Sequence, residues 1–359
     1  MIQKMTSPTD PTLILQVGTQ AICNMLTNNS TDIATVWHAW LTEPERGMLW
    51  SYVLSKSDDG LIMSALVLII NCIRGHQQRC DLFVSSKSGQ DMLSAILGDM
   101  ERLHDNQDSK NFELGYTVLS ELFSFGHFKT LFIQVDDYSH KIPLSDHQII
   151  LLKCLDAKIH STDEFPPCIS THELTLLSQT LAHIGTLQIT NKNEDLVQPI
   201  YTGIILILEI LNALFVLDQP RVKAYLVQVN AVTLMIDLLR FMETIELTTT
   251  DQPKVGFDFL KRECVRLLGT LCYKDKEIQD KIRTLGGIPL ILSQLKIDDS
   301  NPYIKEYAVL AIRHLLENNT ENQQFIQELE PQQVIQTKEL TEMGIQPELK
   351  EGKISIRRS

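Results

Sequence analysis

Cysteine and histidine are the side chains in this sequence that could bind a soft metal or act as nucleophiles. The chain of 359 residues has seven cysteines, and no two of them form a C-x-x-C pair. Cys264 and Cys272 are eight residues apart, about two helical turns, and Cys72 and Cys80 repeat that spacing. Residues so separated cannot share one ion, because a metal needs converging ligands. We therefore expect no metal, no cofactor and reduced cytosolic thiols that act as core residues.

Motifs for catalysis are also missing from the sequence. There is no G-x-S-x-G elbow, no phosphate-binding G-x-x-x-x-G-K loop and no G-x-G-x-x-G fingerprint. His172 and Glu173 do not begin the zinc motif H-E-x-x-H, because Leu176 stands where its second histidine would be. We therefore predict that the chain is not an enzyme and has no catalytic residues.

The charge and the hydropathy pattern exclude two further classes of partner. The formal net charge is −13, whereas phosphate binding requires a positive surface, so we expect no nucleic acid partner. The longest apolar run, 201–217, includes Glu209 and Asn212 and is shorter than the ~20 apolar residues of a membrane span. It therefore predicts a buried helix and no membrane partner. The N-terminus lacks a signal pattern, so a cytoplasmic location is expected.

Helical periodicity extends along almost the whole chain. Apolar residues recur at intervals of three and four, and short polar breaks with turn residues separate the stripes. Clear stripes lie at 61–72, 114–123, 174–184 and 304–315. This spacing is typical of amphipathic helices and not of strands, so it predicts an all-α fold.

Internal repetition indicates how these helices are arranged. The segment 265–285 aligns with 309–329 after a shift of 44 residues, and 210–239 aligns with 267–295 with one inserted residue. A period of about 40–47 residues is typical of solenoid repeats, in which stacked helices bury a shared core. We therefore predict an armadillo/HEAT-like right-handed α-solenoid of stacked helical repeats.

A glycine pair marks one corner of this array. Gly286 or Gly287 can adopt the left-handed conformation that ends a short helix, and Pro289 suits the first turn of the next helix. Valine at Gly287 is predicted to destabilise the corner.

The segment Glu263–Gln323, with its combination of LGGIPLILSQ and IDDSNPYIKE, closely resembles the C-terminal domain of the ataxin-10 family. The ending 339–359 is similar to that of the family, whereas the first 200 residues resemble it only in style. The resemblance implies an armadillo-like solenoid, a cytoplasmic location, no enzymatic activity, and roles in cytokinesis and cell survival through protein partners. A fungal branch of the family has a copper-transport name, and we identify the chain as a fungal member.

One departure from armadillo proteins concerns peptide binding. Arrays that bind extended peptides use an asparagine near the end of the third helix of each repeat. This chain has Thr270 and His314 at two of these positions and Ala213 at a third, and only Asn71 supplies the amide. A continuous asparagine ladder is therefore absent. Asn71, Thr270 and His314 are our candidate partner-binding residues, and Tyr307 replaces a core tryptophan of the family.

The predicted organisation has three parts. Residues 1–255 form degenerate armadillo-like repeats, 256–330 form the ataxin-10-type repeats, and 331–359 form a tail with a short helix at 339–343 and a hairpin that caps the array. The predicted function is a non-enzymatic protein-binding scaffold in the regulation of cytokinesis. The alternatives are a copper-homeostasis protein and a self-associating structural adaptor, that is, a homo-oligomer.

Overall fold

Helices make up nearly all of the described structure. In the computed structural model of the protein, the described residues are 11–27, 29–56, 58–103, 109–135, 143–190, 197–248, 258–329, 345–350 and 353–358. They fall into two compact units, which we call unit 1 (Met1–Cys264) and unit 2 (Val265–Ser359). The short helix predicted at 339–343 lies outside the described residues.

Unit 1 is all-α within the residues that the structure describes. Its helices are α1 (Pro11–Leu26), α2 (Ser30–Thr42), α3 (Pro44–Leu54), α4 (Asp59–Ile73), α5 (Gln77–Ser85), α6 (Lys87–Arg102), α7 (Lys110–Ser124), α8 (Phe128–Gln134), α9 (Asp146–His160), α10 (Thr171–Thr190), α11 (Val197–Leu217), α12 (Gln219–Gln228), α13 (Ala231–Thr248) and the start of α14 (Leu260–Leu271). Unit 2 continues with the rest of α14 and with α15 (Lys276–Thr284), α16 (Gly287–Leu292), α17 (Ile304–Leu316), α18 (Thr320–Glu328), β1 (Ile345–Lys350) and β2 (Lys353–Arg358).

Several helices begin at a side chain that caps the first turn. The Asp58 carboxylate accepts from the Leu61 amide at 2.8 Å, and Ser145 and Gln148 form a reciprocal capping box at the start of α9. Such caps satisfy backbone N–H groups that have no partner inside the helix. The polar breaks in the sequence are therefore the points where helices start.

The helices of unit 1 stack in rows, as the repeat pattern predicts. In one row α1 packs against α4, α4 against α7, α7 against α9 and α9 against α11. Outside this row, α3 packs against α6, and α10 packs against α13. Stacked helices bury the apolar stripes of their neighbours, which is the packing of an armadillo-like repeat array. The predicted all-α, armadillo-like fold is confirmed.

The most apolar helix lies in the core of unit 1. α11 has the length and hydropathy of a membrane span, but 61% of its most apolar window is buried by the protein itself. It packs against α9, α10 and α12, and its polar residue Asn212 is 2% exposed. The prediction of a buried helix for this run is confirmed.

In unit 2, residues that are 44 positions apart in the sequence make equivalent contacts. Asp275 caps α15 and Asn319 caps α18, each by accepting from the amide three residues on. The side chain of Gln279 donates to the carbonyl at the end of α14, and Gln323 donates in the same way at the end of α17, at 3.2 and 2.8 Å. The identities found in the sequence therefore make equivalent contacts in the two repeats.

The two glycines at the corner have different backbone conformations. Gly286 has φ +72° and is the N-cap of α16, whereas Gly287 is the first helical residue and is buried. The left-handed residue is therefore Gly286, because only a residue without Cβ adopts this region without strain. The sequence left the left-handed conformation open between Gly286 and Gly287, and the structure assigns it to Gly286. Valine at Gly287 would therefore not test left-handed backbone.

The two strands at the end of unit 2 form an antiparallel pair. Ile345 pairs with Arg358 and Lys350 with Lys353. This is the hairpin that the alternating sequence predicts, and its capping role stays a prediction.

Candidate functional site

Two of the three predicted binding residues lie side by side in unit 2. Thr270 is on α14 and His314 is on α17, and the two helices approach closely because Gly269 faces Ala311. A Cβ on Gly269 would lie 2.9 Å from the Ala311 Cβ, closer than real contacts allow. We call the surface formed by Arg266, Thr270, Tyr273, Tyr307 and His314 the α14–α17 face.

His314 joins the two helices at one end of this face. Its Nδ1 lies 2.8 Å from the Gly269 carbonyl oxygen, and its ring packs on Tyr273 with 4.7 Å between centroids. Because a carbonyl oxygen only accepts, Nδ1 is the donor in this bond. The ring is half-buried, and Nε2 bonds to no described residue.

Arg266 and Tyr307 form the other end of the face. The Arg266 guanidinium lies over the Tyr307 ring, 5.6 Å from its centroid, which is a cation–π contact. Tyr307 is half-buried, and its replacement of a core tryptophan of the family stays a prediction. Between the ends, the Thr270 hydroxyl donates to the Arg266 carbonyl at 2.7 Å. The face thus combines aromatic rings with arginine, the residues enriched in binding hot spots.

Asn71 is placed differently from the other two candidates. It lies near the end of α4 in unit 1, and its amide Nδ2 donates to the Cys23 sulfur on α1 at 3.3 Å. The amide therefore links neighbouring helices of the row. This contact is a structural one, and the binding role of Asn71 stays a prediction.

A second polar cluster, which we call the carboxylate cluster, lies in unit 1. Glu263 on α14 is fully buried, and it accepts from Arg262 Nε at 2.6 Å and from Asn212 Nδ2 at 2.8 Å. Arg262 also reaches Glu209 on α11 at 3.1 Å. Asp156 on α9 belongs to the same cluster, since its charge raises the pKa of Glu209.

The electrostatics of this cluster follow from burial. Desolvation, followed by the charges of Asp156 and Glu263, raises the pKa of Glu209, and Arg262 offsets only part of this. Desolvation also raises the pKa of Asp156, against the lowering effect of His160. Both carboxyls therefore favour their protonated forms more than in water. Arg262 is the guanidinium that bridges two of the three carboxyls.

The thiols of the chain are enclosed by the protein. All seven cysteines are free and buried, as predicted for core residues. Burial raises the pKa of Cys72, Cys80 and Cys154 to about 12, and a protonated thiol is a poor metal ligand and nucleophile. Across the described ranges, no three Cys, His, Asp or Glu side chains converge as a metal site would require.

Comparison with known proteins identifies the region that contains the α14–α17 face. A family profile described as "Spinocerebellar ataxia type 10 protein domain" matches residues 260–357. Ataxin-10 of Xenopus tropicalis is 45% identical over 103 residues, 29% of this chain and 21% of that protein. Through residues 260–357, the chain is similar to the ataxin-10 family.

Other relatives match in the same way. Human ataxin-10 is 41% identical over 136 residues, 34% of this chain and 28% of that protein. The ataxin-10 homolog of Debaryomyces hansenii is 31% identical over 169 residues, 45% and 34% of the two chains. The match thus spans between about a fifth and a third of the length of these relatives. Because both animal and fungal relatives match, the fungal origin stays a prediction.

One solved structure found in the comparison is a designed armadillo repeat protein in complex with the peptide (KR)4. It is 12% identical, covers 86% of this chain and 95% of its own, and superposes with a TM-score of 0.26.

Sequence reasoning missed the residues that hold the face together. Arg266 and Tyr273 carry no motif, and the Arg262–Glu263 pair reads as ordinary surface charge. The signal available was position, since Glu263 falls on the apolar stripe of α14 between Leu260 and Leu267. A charge at such a position indicates a buried, paired carboxylate.

Proposed function

We propose that this chain is a non-enzymatic scaffold of the ataxin-10 type, which binds other proteins in the cytoplasm and acts in the regulation of cytokinesis. The observation that carries the proposal is that the region matched by the family, 260–357, presents the aromatic and cationic α14–α17 face. Armadillo-like arrays use such side-chain rows to hold extended partners.

Affinity capture from dividing cells tests the binding role. The variant His314→Glu puts a carboxylate at the His314 end of the face. Lys296→Glu changes an exposed charge after α16 and is the control. We expect a defined set of proteins to be retained by the wild type and by the control and lost by His314→Glu, with unchanged circular dichroism. Equal retention by all three folded proteins would refute the proposal for this face.

Rescue of depleted cells tests the role in cytokinesis. We expect cells without the protein to accumulate as binucleate cells, and we expect the wild type and Lys296→Glu to restore division. His314→Glu should fail to restore it. Normal division in depleted cells would refute the role in cytokinesis.

A self-associating adaptor is the second candidate. The name of the matching family profile refers to homo-association. Sedimentation equilibrium of the full chain distinguishes the two: a mass of 40.9 kDa at all concentrations would exclude self-association.

A further inference from the structure

Helix α1 in unit 1 has an exposed apolar side. It packs against α4 and α2, and the residues that it buries are Thr19, Cys23 and Leu26. Because a helix turns about 100° per residue, a second set of residues falls on the opposite side. This set, which we call the α1 face, is exposed and consists of Leu13, Ile14, Val17, Gly18, Ala21 and Met25. Single exposed apolar residues are ordinary, but a set on one face indicates an interaction surface.

The composition of α1 is that of a covered helix. No residue of α1 is charged, whereas a helix at a protein surface normally has charged residues on the side that faces water. α4, which has α1 on one side and α7 on the other, has a similar composition, since Asp59 is its only charged residue. α1 therefore resembles a helix with neighbours on both sides of its row, although α4 covers only one of them.

The α1 face is small near its middle and large towards its ends. Gly18 and Ala21 are the small residues, and a Cβ on Gly18 would meet nothing within 4 Å. In an antiparallel pair of α1 helices related by a two-fold axis, Gly18 lies opposite Ala21 in the same register that places Ile14 opposite Met25. Both pairings thus have one common centre. The face is complementary to itself, as a two-fold interface requires.

The charge of the chain favours this surface for contact between two copies. Two chains with a net charge of −13 repel each other, and a contact through charged helices would add local repulsion. An uncharged face adds none. With 16 residues, α1 is about 24 Å long and about 10 Å wide, so the contact lies at the low end of interface sizes. We therefore expect a weak dimer with a micromolar dissociation constant.

We propose that two copies of this chain associate through the α1 face, as an antiparallel pair of α1 helices about a two-fold axis. The proposal rests on self-association, the second candidate function, and specifies the surface that performs it. This surface lies outside residues 260–357, which the family profile matches. Because a two-fold contact closes on itself, the chain forms dimers and not filaments.

Sedimentation equilibrium of the full chain tests the proposal, at concentrations up to about 300 µM, well above a micromolar dissociation constant. We expect the mass to rise with concentration from 40.9 kDa toward twice that value. Val17→Lys places a charge on the face of each copy and should weaken the dimer about tenfold or more. Val216→Lys is the matched control, because Val216 lies on α11 and is 72% exposed, compared with 57% for Val17. It should dimerise like the wild type, and circular dichroism should show the same fold for all three proteins.

Cross-linking through a single introduced thiol tests the antiparallel arrangement. All seven native cysteines are buried, so a bismaleimide reagent should leave the folded wild type without cross-links. Ala21→Cys should give a cross-linked dimer, because the two copies of residue 21 lie near the two-fold axis. Ala157→Cys, at an exposed position of α9, should give none.

The outcomes separate the α1 face from self-association itself. A mass of 40.9 kDa at every concentration would overturn the proposal and the self-associating function together. A wild-type dimer that Val17→Lys leaves intact, or that Val216→Lys weakens equally, would keep self-association and refute the α1 face. Cross-linking of Ala157→Cys in preference to Ala21→Cys would also refute it.

Discussion

Replacing Arg262 with methionine probes the carboxylate cluster most directly. The guanidinium bridges the fully buried Glu263 and the half-buried Glu209, at 2.6 and 3.1 Å. Methionine keeps much of the side-chain length and removes the charge. The two carboxyls, together with Asp156, then repel one another in a region from which water is largely excluded.

The magnitude follows from two independent limits. Removing one partner of a buried ion pair costs about 3–5 kcal/mol. A carboxyl with an ordinary pKa near 4.3 that must be neutral at pH 7 costs about 4 kcal/mol, at about 1.4 kcal/mol per pH unit. The side chains of Arg262 and Glu209 are 18% and 28% exposed, so water solvates the charges in part and reduces this free-energy cost. We expect the free energy of unfolding to fall by about 3 kcal/mol at pH 7.

The pH dependence is the sharper part of this prediction. Proton uptake at the Glu209 carboxyl, which has lost Arg262, becomes easier as the pH falls, so the loss should shrink by about 1 kcal/mol for each pH unit between 7 and 5. Urea unfolding followed by tryptophan fluorescence measures it, since Trp37, Trp40 and Trp50 all lie in unit 1 with the cluster.

Glu209→Gln is the matched control for this variant. Because the folded-state pKa of Glu209 is raised above its unfolded value, the ionised carboxylate disfavours folding once the pH exceeds the unfolded pKa. Glutamine resembles the protonated form, so stability at pH 7 should be unchanged or higher. A loss below 1 kcal/mol for Arg262→Met at pH 7, or the same loss at pH 5 and 7, would refute the reasoning.

Three further substitutions test unit 2, each by thermal melting followed with circular dichroism and by hydrogen exchange of α18. Gly269→Val should cost about 1–3 kcal/mol, because even its Cβ would meet Ala311 at 2.9 Å; an unchanged melting temperature would contradict the close packing of α14 and α17. Gly286→Val should cost about 1–2 kcal/mol and Gly286→Asn less, because φ is +72°; equal effects would argue against left-handed backbone there. Asn319→Ala should cost about 2 kcal/mol, since the buried amide both caps α18 and donates to Gln279 at 3.0 Å; faster exchange limited to α18 is the expected sign.

The fold was predictable because periodicity and caps are local. The three- and four-residue spacing defines the helix faces, and residues such as Asp58 and Asp275 mark where helices begin. The 44-residue shift could be read because Gln279 and Gln323 perform the same contact in successive repeats. These signals need no knowledge of distant neighbours.

The composition of the face was not predictable in the same way. Thr270 and His314 were found through their repeat position, but Arg266 and Tyr307 meet only because Gly269 lets the helices approach. Pairing between helices 40 or more residues apart depends on the separation of the helices, which a single sequence does not state. The same holds for Arg262 and Glu209, which are 53 residues apart.

Because all seven thiols are enclosed, their reactivity would report local opening of the structure. They lie at different points along the array, from Cys23 on α1 to Cys264 on α14 and Cys272 just after it. A thiol whose pKa is raised and whose sulfur is covered reacts with an alkylating reagent only when its own helices separate. Mass spectrometry of partly alkylated protein would therefore map, repeat by repeat, which end of the array separates first and how far that separation spreads before it closes again.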